Sequence, residues 1–75
     1  MFKLVPLSAN KVIRKLNRAG FMETHRRGSH VYLKNFERQK IATVAIHGSK
    51  DIPTGTLYNI VVRQAGLSIE EFNRL

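Results

Sequence analysis

The sequence predicts an α+β fold in which two helices cover one face of a three-stranded antiparallel sheet. Apolar residues recur at helical spacing in residues 8–19 and again after Pro53. Between these segments lie three short runs in which apolar and polar residues alternate, as they do in half-buried strands. The order α-β-β-β-α, followed by a short C-terminal helix, indicates a two-layer sandwich, because the helices and the sheet must each bury one face.

The first helix is predicted over about residues 8–19. Ser8 is a suitable N-cap, Val12 and Leu16 lie one helical turn apart, and Gly20 suits the position just after the helix. Its other side is basic, which is typical of a solvated face, with phosphate contact as the alternative reading. The residues on that side are Lys11, Arg14, Lys15 and Arg18.

A β-hairpin is predicted next, with strands from Phe21 to about Arg26 and from His30 to Asn35. The turn between them contains Gly28, which adopts positive φ without a Cβ clash. Because strand side chains alternate, Val31 and Leu33 should face the helices. The side chains expected on the opposite surface are those of His30, Tyr32 and Lys34.

A third strand is predicted over residues 40–47, with Ala42, Val44 and Ile46 on its apolar face. The segment that follows, His47-Gly48-Ser49-Lys50, has the same kinds of residue as the first turn: a histidine, a glycine, a hydroxyl and a cation. A glycine lets backbone N–H groups approach an anion, so this loop is a second candidate phosphate contact.

The second helix is predicted to begin around Pro53-Thr54-Gly55-Thr56, where a hydroxyl cap is available, and to end at Gly66. Its apolar stripe has the spacing i, i+3, i+4 and i+8. The stripe consists of Leu57, Ile60, Val61 and Ala65, widened by Tyr58 and Val62. Ser68 and Glu71 form a capping box for a last short helix that ends near Leu75.

Length and composition limit the kind of protein. Seventy-five residues suit one domain, residues 1–75, with a single small core. No apolar run approaches the roughly 20 residues that span a bilayer, and the first residues lack the apolar region of a signal peptide. We therefore expect a cytoplasmic protein without membrane association.

The charge balance indicates a polyanionic partner. Thirteen Lys and Arg against five Asp and Glu give a formal net charge of +8, so nucleic acid is the first candidate. The absence of Cys excludes disulfides, a thiolate nucleophile and a cysteine zinc site. The three His and five acids have no metal-ligand spacing, so we expect neither a metal nor a cofactor.

His30 is the candidate catalytic residue, because an imidazole takes or gives protons near neutral pH and this one follows a basic turn. RNA is cut without a metal when its 2′-hydroxyl attacks the adjacent phosphorus, which needs a base, an acid and nearby cations. His30 suits either proton-transfer role, and Tyr32 and His47 are candidates for a second carrier. The candidate RNA-binding residues are Arg26, Arg27, Gly28, Ser29, Tyr32, Lys34, His47 and Lys50.

Several motifs follow one another along the chain: Gly20-Phe21, Gly28-Ser29-His30 with Tyr32, His47, Gly55-Thr56-Leu57, Ala65-Gly66-Leu67-Ser68 and Glu70-Glu71-Phe72. Taken together and in this order, they resemble the HicA family of bacterial toxins. The resemblance runs from about Ser8 to Phe72 and departs from the family at Ala45, where proline is common. It implies a fold like that of a double-stranded-RNA-binding domain, cleavage of messenger RNA with His30 as the catalytic residue, and a HicB-like antitoxin as partner.

Two non-catalytic functions are alternatives. A duplex-RNA-binding module would share the fold and charge, but its second helix would start with a lysine cluster, which Pro53-Thr54-Gly55-Thr56 lacks. A DNA-binding helix-turn-helix would use residues 65–68 as its turn. The helix that would read DNA is short and begins with two acids, Glu70 and Glu71, so DNA binding by this chain is not expected.

Overall fold

Residues 2–75 are described by a computed structural model. The elements are β1 (Leu7–Ser8), α1 (Ala9–Arg18), β2 (Met22–Arg27), β3 (His30–Asn35), β4 (Lys40–Ala45), β5 (Asp51–Ile52), α2 (Thr54–Tyr58), a π-helical segment (Asn59–Gln64) and α3 (Ile69–Asn73). The predicted α-β-β-β-α order and the terminal helix are thus confirmed.

The main sheet is antiparallel in the order β2-β3-β4, so β3 is its central strand. The predicted alternation holds on β3, where Val31 and Leu33 are fully buried under the helices. On β4, Ala42 and Val44 are buried in the same layer. With the apolar stripes of the helices these residues form one core, which also includes Leu16, Phe21, Leu57, Ile60, Val61, Ala65 and Phe72.

The first helix begins and ends where capping chemistry indicates. The Ser8 hydroxyl accepts a hydrogen bond from the Lys11 backbone N–H at 3.3 Å. After the last turn, the Asn35 side chain donates from Nδ2 to the Ala19 carbonyl at 3.2 Å. Because Asn35 is the only buried polar residue within residues 2–75, this bond fixes the end of α1 against β3.

The second helix differs from the prediction in two respects. Pro53 is its N-cap, and no side chain makes the expected hydroxyl cap. From Asn59 onward the helix is π-helical, and the Ala65 backbone N–H donates to the carbonyl of Ile60, five residues earlier, at 2.9 Å. The wider turn ends at Gln64, whose Oε1 accepts a hydrogen bond from the Thr43 backbone N–H at 2.8 Å. The π-helix therefore brings a side chain to the free edge of β4.

Two further features were not predicted. β4 ends at Ala45 rather than His47, and a small second sheet pairs Leu7 with Ile52 and Ser8 with Asp51. This pairing ties the start of α1 to the segment before α2. Residues 46–50 consequently form a loop between β4 and β5, and no helix within residues 2–75 has the length and apolar character needed to cross a membrane.

Candidate functional site

The face of the main sheet that points away from the helices carries four of the nine predicted site residues, and we call it the open face. Antiparallel neighbours share a face, so the strand register defines three rows of side chains across it. The rows are Arg27, His30 and Ala45; then His25, Tyr32 and Thr43; then Met22, Lys34 and Ile41.

His30 lies at the start of β3 and is exposed on the open face. The two-residue turn Gly28–Ser29 sets it directly opposite Arg27. Gly28 has a φ of +60°, whereas the φ of Ser29 is not positive. A positive φ at only the first of the two central residues is the pattern of a type II′ hairpin turn. The Ser29 carbonyl accepts a hydrogen bond from the Ile46 backbone N–H at 2.8 Å. The turn is therefore held by both neighbouring strands, and it fixes the backbone from which His30 projects.

Arg26 and Arg27, adjacent in sequence, lie on opposite faces of the sheet. Arg26 is paired with Val31 and so shares the helix-facing side, where it donates from Nε and Nη2 to Glu23 at 3.1 and 3.2 Å. The hydrogen bond with Glu23, and then its negative charge, raise the pKa of Arg26. Of the two arginines, only Arg27 stands beside His30.

The other open-face candidates lie farther along β3. Tyr32 is half-buried in the second row, and Lys34 lies in the third row, with Nζ 4.9 Å from the centre of the Phe36 ring. Neither Arg27 nor Lys34 takes part in any of the three ion pairs found within residues 2–75. Their charges are therefore available to a phosphate backbone that crosses the open face.

The structure adds His25 to this surface. His25 lies opposite Tyr32, and the two rings are stacked with centroids 4.3 Å apart and planes 5° from parallel. A register shift between Glu23 and His25 makes Thr24 the extra residue of β2. Counting back two residues from Arg27 places His25 on the open face, so the alternation of the strand was the signal by which the sequence could have revealed it.

His47 and Lys50 lie in a separate cleft of about 380 Å³ between the end of β4, β5 and the start of α2. The Lys50 backbone N–H donates to the His47 carbonyl at 3.1 Å, which closes a turn around Gly48 and Ser49. The cleft does not include His30, but it adjoins the first row through a shared residue. Its lining consists of Ala45, His47, Lys50, Asp51, Ile52, Pro53, Thr56 and Ile60.

Other parts of the surface have different properties. The basic side of α1 forms a shallow depression lined by Lys11, Arg14, Lys15 and Arg18. Lys15 is partly engaged, since its Nζ donates to the Phe72 carbonyl at 3.2 Å and lies 4.8 Å from that ring's centre. Within residues 2–75, no group of three or more His, Cys, Asp or Glu side chains is arranged to hold a metal ion.

α3 lacks the features of a DNA-reading helix. It has five residues and begins with the predicted capping box, in which Ser68 accepts from the Glu71 N–H at 3.0 Å. The acids of its first turn form ion pairs on the protein surface, Glu70 with Arg74 and Glu71 with Arg38. Those carboxylates would repel a phosphate backbone, so the geometry does not favour the helix-turn-helix alternative.

Comparison with known proteins identifies a family match for this chain. Residues 9–67 match the family model described as the HicA toxin of bacterial toxin-antitoxin systems. That segment contains both Gly-Ser turns, the whole main sheet and the helix that follows. Among individually curated proteins, none matches the chain.

Proposed function

Because the chain belongs to the HicA family of toxins, each of which is one half of a toxin-antitoxin pair, we propose that it is an endoribonuclease that cuts messenger RNA without a metal ion. The observation that carries the proposal is an exposed imidazole, His30, fixed opposite an unpaired arginine, Arg27, on the open face of a chain of net charge +8. On this proposal the toxin acts in the cytoplasm, where messenger RNA is translated.

Phosphate binding is the first step. Arg27 in the first row and Lys34 in the third lie on either side of the Tyr32 row, so an RNA strand laid along β3 would meet a cation at each end of the open face. Lys50 extends this basic path into the cleft beside Ala45. Arg26 contributes less, because it lies on the other side of the sheet and its charge is matched by Glu23.

Proton transfer is the second step. The 2′-oxygen attacks the adjacent phosphorus and loses its proton, while the bond to the 5′-oxygen breaks and that oxygen gains a proton. The products are a 2′,3′-cyclic phosphate and a 5′-hydroxyl. His30 would take the first proton or supply the second, and Arg27 would stabilise the charge that builds up on the phosphorane oxygens. Tyr32 and His47 remain candidates for the second carrier.

The antitoxin is proposed to be HicB-like and to cover the open face around His30. A cationic surface without a covering element favours an acidic partner, whose charge speeds association and whose bulk excludes RNA. If so, adding the antitoxin should stop cleavage, and it should protect Arg27 and Lys34 from chemical modification. Inhibition with protection elsewhere would contradict the proposed position.

The test is incubation of the pure protein with end-labelled single-stranded RNA, with and without a chelator. Shortened RNA ending in a cyclic phosphate, at the same rate with chelator, is the expected result. An RNA mobility shift without cleavage would instead identify a non-catalytic RNA-binding module. Loss of cleavage on chelation would exclude the metal-independent mechanism.

A further inference from the structure

The stacked pair His25 and Tyr32 has features of a binding platform in addition to those of a structural contact. Both rings lie on the open face, in the row next to that of His30. A cross-strand aromatic pair gives a hairpin modest stability, and that role needs only the two faces in contact. His25 is exposed, and Tyr32 is only half-buried although His25 covers one face of its ring. Aromatic side chains that stack nucleic-acid bases on sheet surfaces are partly exposed in the same way.

Local hydrogen bonds fix the orientation of the pair. The Thr24 hydroxyl donates to the Tyr32 carbonyl at 3.3 Å and lies 3.2 Å from His25 Nδ1. The same hydroxyl thus joins the backbone of Tyr32 to the ring of His25. The bulge at Thr24 thus holds the His25 ring against Tyr32 before any ligand arrives.

The face of the Tyr32 ring opposite His25 is turned toward β4. His25 and Tyr32 lie on neighbouring strands, their ring centroids are 4.3 Å apart and their ring planes are nearly parallel, so the rings stack in the direction that runs across the strands. On the far side of Tyr32 the neighbour on β4 is Thr43, and beyond it toward His30 is Ala45. Both side chains are small and only partly buried, so a flat ligand beside the Tyr32 ring would meet little obstruction over β4.

We propose that this region is a nucleobase subsite, in which a base of the RNA stacks on Tyr32 above Thr43. The inference rests on the proposed ribonuclease function and adds to it the position of one nucleotide. Tyr32 and His30 are two residues apart on β3, about 7 Å along the strand. The stacked base therefore belongs to a nucleotide adjoining the phosphate that His30 attends.

The chemistry of the subsite favours a purine. Stacking tolerates every base, and the attraction grows with overlapped ring area, which is larger for two fused rings. The Thr43 hydroxyl would meet the edge of the stacked base. Because a hydroxyl is both a donor and an acceptor, it would not select one hydrogen-bonding pattern. We expect cleavage next to purines to be faster than cleavage next to pyrimidines.

The experiment uses His30→Ala protein, so that RNA stays intact, and short single-stranded RNAs with one 2-aminopurine, whose fluorescence falls on stacking. The chain contains no Trp, so the protein adds little emission of its own. Binding should quench the probe, and Tyr32→Leu should remove the quenching and weaken affinity by about five- to a hundred-fold. Tyr32→Phe, which keeps the ring, should preserve both.

Tyr58 provides the matched control, because it is the other tyrosine of the chain and lies exposed on α2, away from the open face. Tyr58→Leu should change neither quenching nor affinity. RNA binding with undiminished quenching in Tyr32→Leu would overturn the subsite and leave the ribonuclease proposal intact. Absence of RNA binding by every variant would overturn both.

A second measurement covers the case in which Tyr32→Leu does not fold. Tyr32→Trp and Tyr58→Trp each introduce a single indole while retaining an aromatic ring. Unlabelled RNA should quench the indole emission of Tyr32→Trp and leave that of Tyr58→Trp unchanged. Equal responses from the two variants would contradict the subsite.

Discussion

Two turns of this chain have the same Gly-Ser centre but lie in different structural settings. In Arg27-Gly28-Ser29-His30 the glycine has φ +60°, and in His47-Gly48-Ser49-Lys50 it has φ +58°. The first turn joins paired strands and presents His30 opposite Arg27 on the open face. The second turn follows the end of β4 and places His47 and Lys50 in a cleft. The same local chemistry therefore supplies a fixed histidine in one place and a loop histidine in the other.

The elements beside each turn, more than the turn itself, therefore decide what its histidine can do. His30 is a strand residue, and its turn accepts a hydrogen bond from the Ile46 backbone N–H, so its position is set by two neighbouring strands. His47 lies outside the strand that was predicted to contain it. On the proposed function, proton transfer therefore belongs first to His30, Lys50 of the second turn adds a phosphate contact, and His47 stays a candidate for the second proton carrier.

The largest effect on RNA cleavage is expected from replacing His30, and a separate variant that replaces His47 provides the comparison. His30→Ala should lower RNA cleavage by about a hundredfold or more, because positioned proton transfer contributes a factor of about 10² to 10⁴. RNA affinity and melting temperature should change little, since the imidazole is exposed and no cavity forms. Cleavage rates, affinities and melting curves on the same preparations test this.

His47→Ala is the control for that experiment and should lower the rate only a few-fold. If the two substitutions were equally damaging, both turns would be catalytic and His47 would be the second proton carrier.

A smaller effect is expected from the two arginines before the first turn. Arg27→Ala should weaken RNA binding by about tenfold, because a hydrogen bond between charged groups contributes about 1.5–3 kcal/mol. It should also lower the slope of log K against log salt by about 0.7 for the lost phosphate contact. Arg26→Ala is the matched control, since Arg26 lies on the other face with Glu23, and it should change neither quantity. Equal losses would mean that RNA contacts both faces of the sheet.

The two glycines should differ in their contribution to stability. A Cβ at either position meets no atom within 4 Å, so the penalty is that of positive φ alone. Gly28→Ala should lower the free energy of unfolding by about 1–2 kcal/mol, because the paired strands prevent the backbone from relaxing. Gly48→Ala should cost less, since its loop can adjust. Urea denaturation measures both, and a larger loss at Gly48 would show that the second turn is the more constrained one.

The smallest effect is expected at a glycine outside both turns. Gly55 lies in α2 without positive φ, and an added Cβ meets nothing within 4 Å. Gly55→Ala should therefore raise the free energy of unfolding by about 0.5–1 kcal/mol, because alanine loses less backbone entropy in a helix. A destabilised variant would indicate that the start of α2 needs the freedom of glycine, as the two turns do.

Local sequence patterns were enough to predict the element order, the buried stripes and the position of His30 at the start of a strand. These follow from local rules: period-two alternation, helical spacing, a Ser8 cap and a glycine in a two-residue turn. The capping box at Ser68 was predicted for the same reason, because all of its atoms belong to four consecutive residues.

The neighbours of these residues, in contrast, depend on tertiary structure. The bulge at Thr24 sets which β2 residues face Leu33 and Lys34, and no local pattern specifies it because it depends on the register with β3. Arg26 and Arg27 lie on opposite faces because Arg27 pairs with His30, which extends β2 one residue past its predicted end. The π-helical turn at Asn59–Gln64 and the pairing of Leu7 with Ile52 likewise depend on contacts between segments far apart in the chain. The residue types of the site were thus set locally, while the arrangement that would make them a site was set by strand pairing and packing.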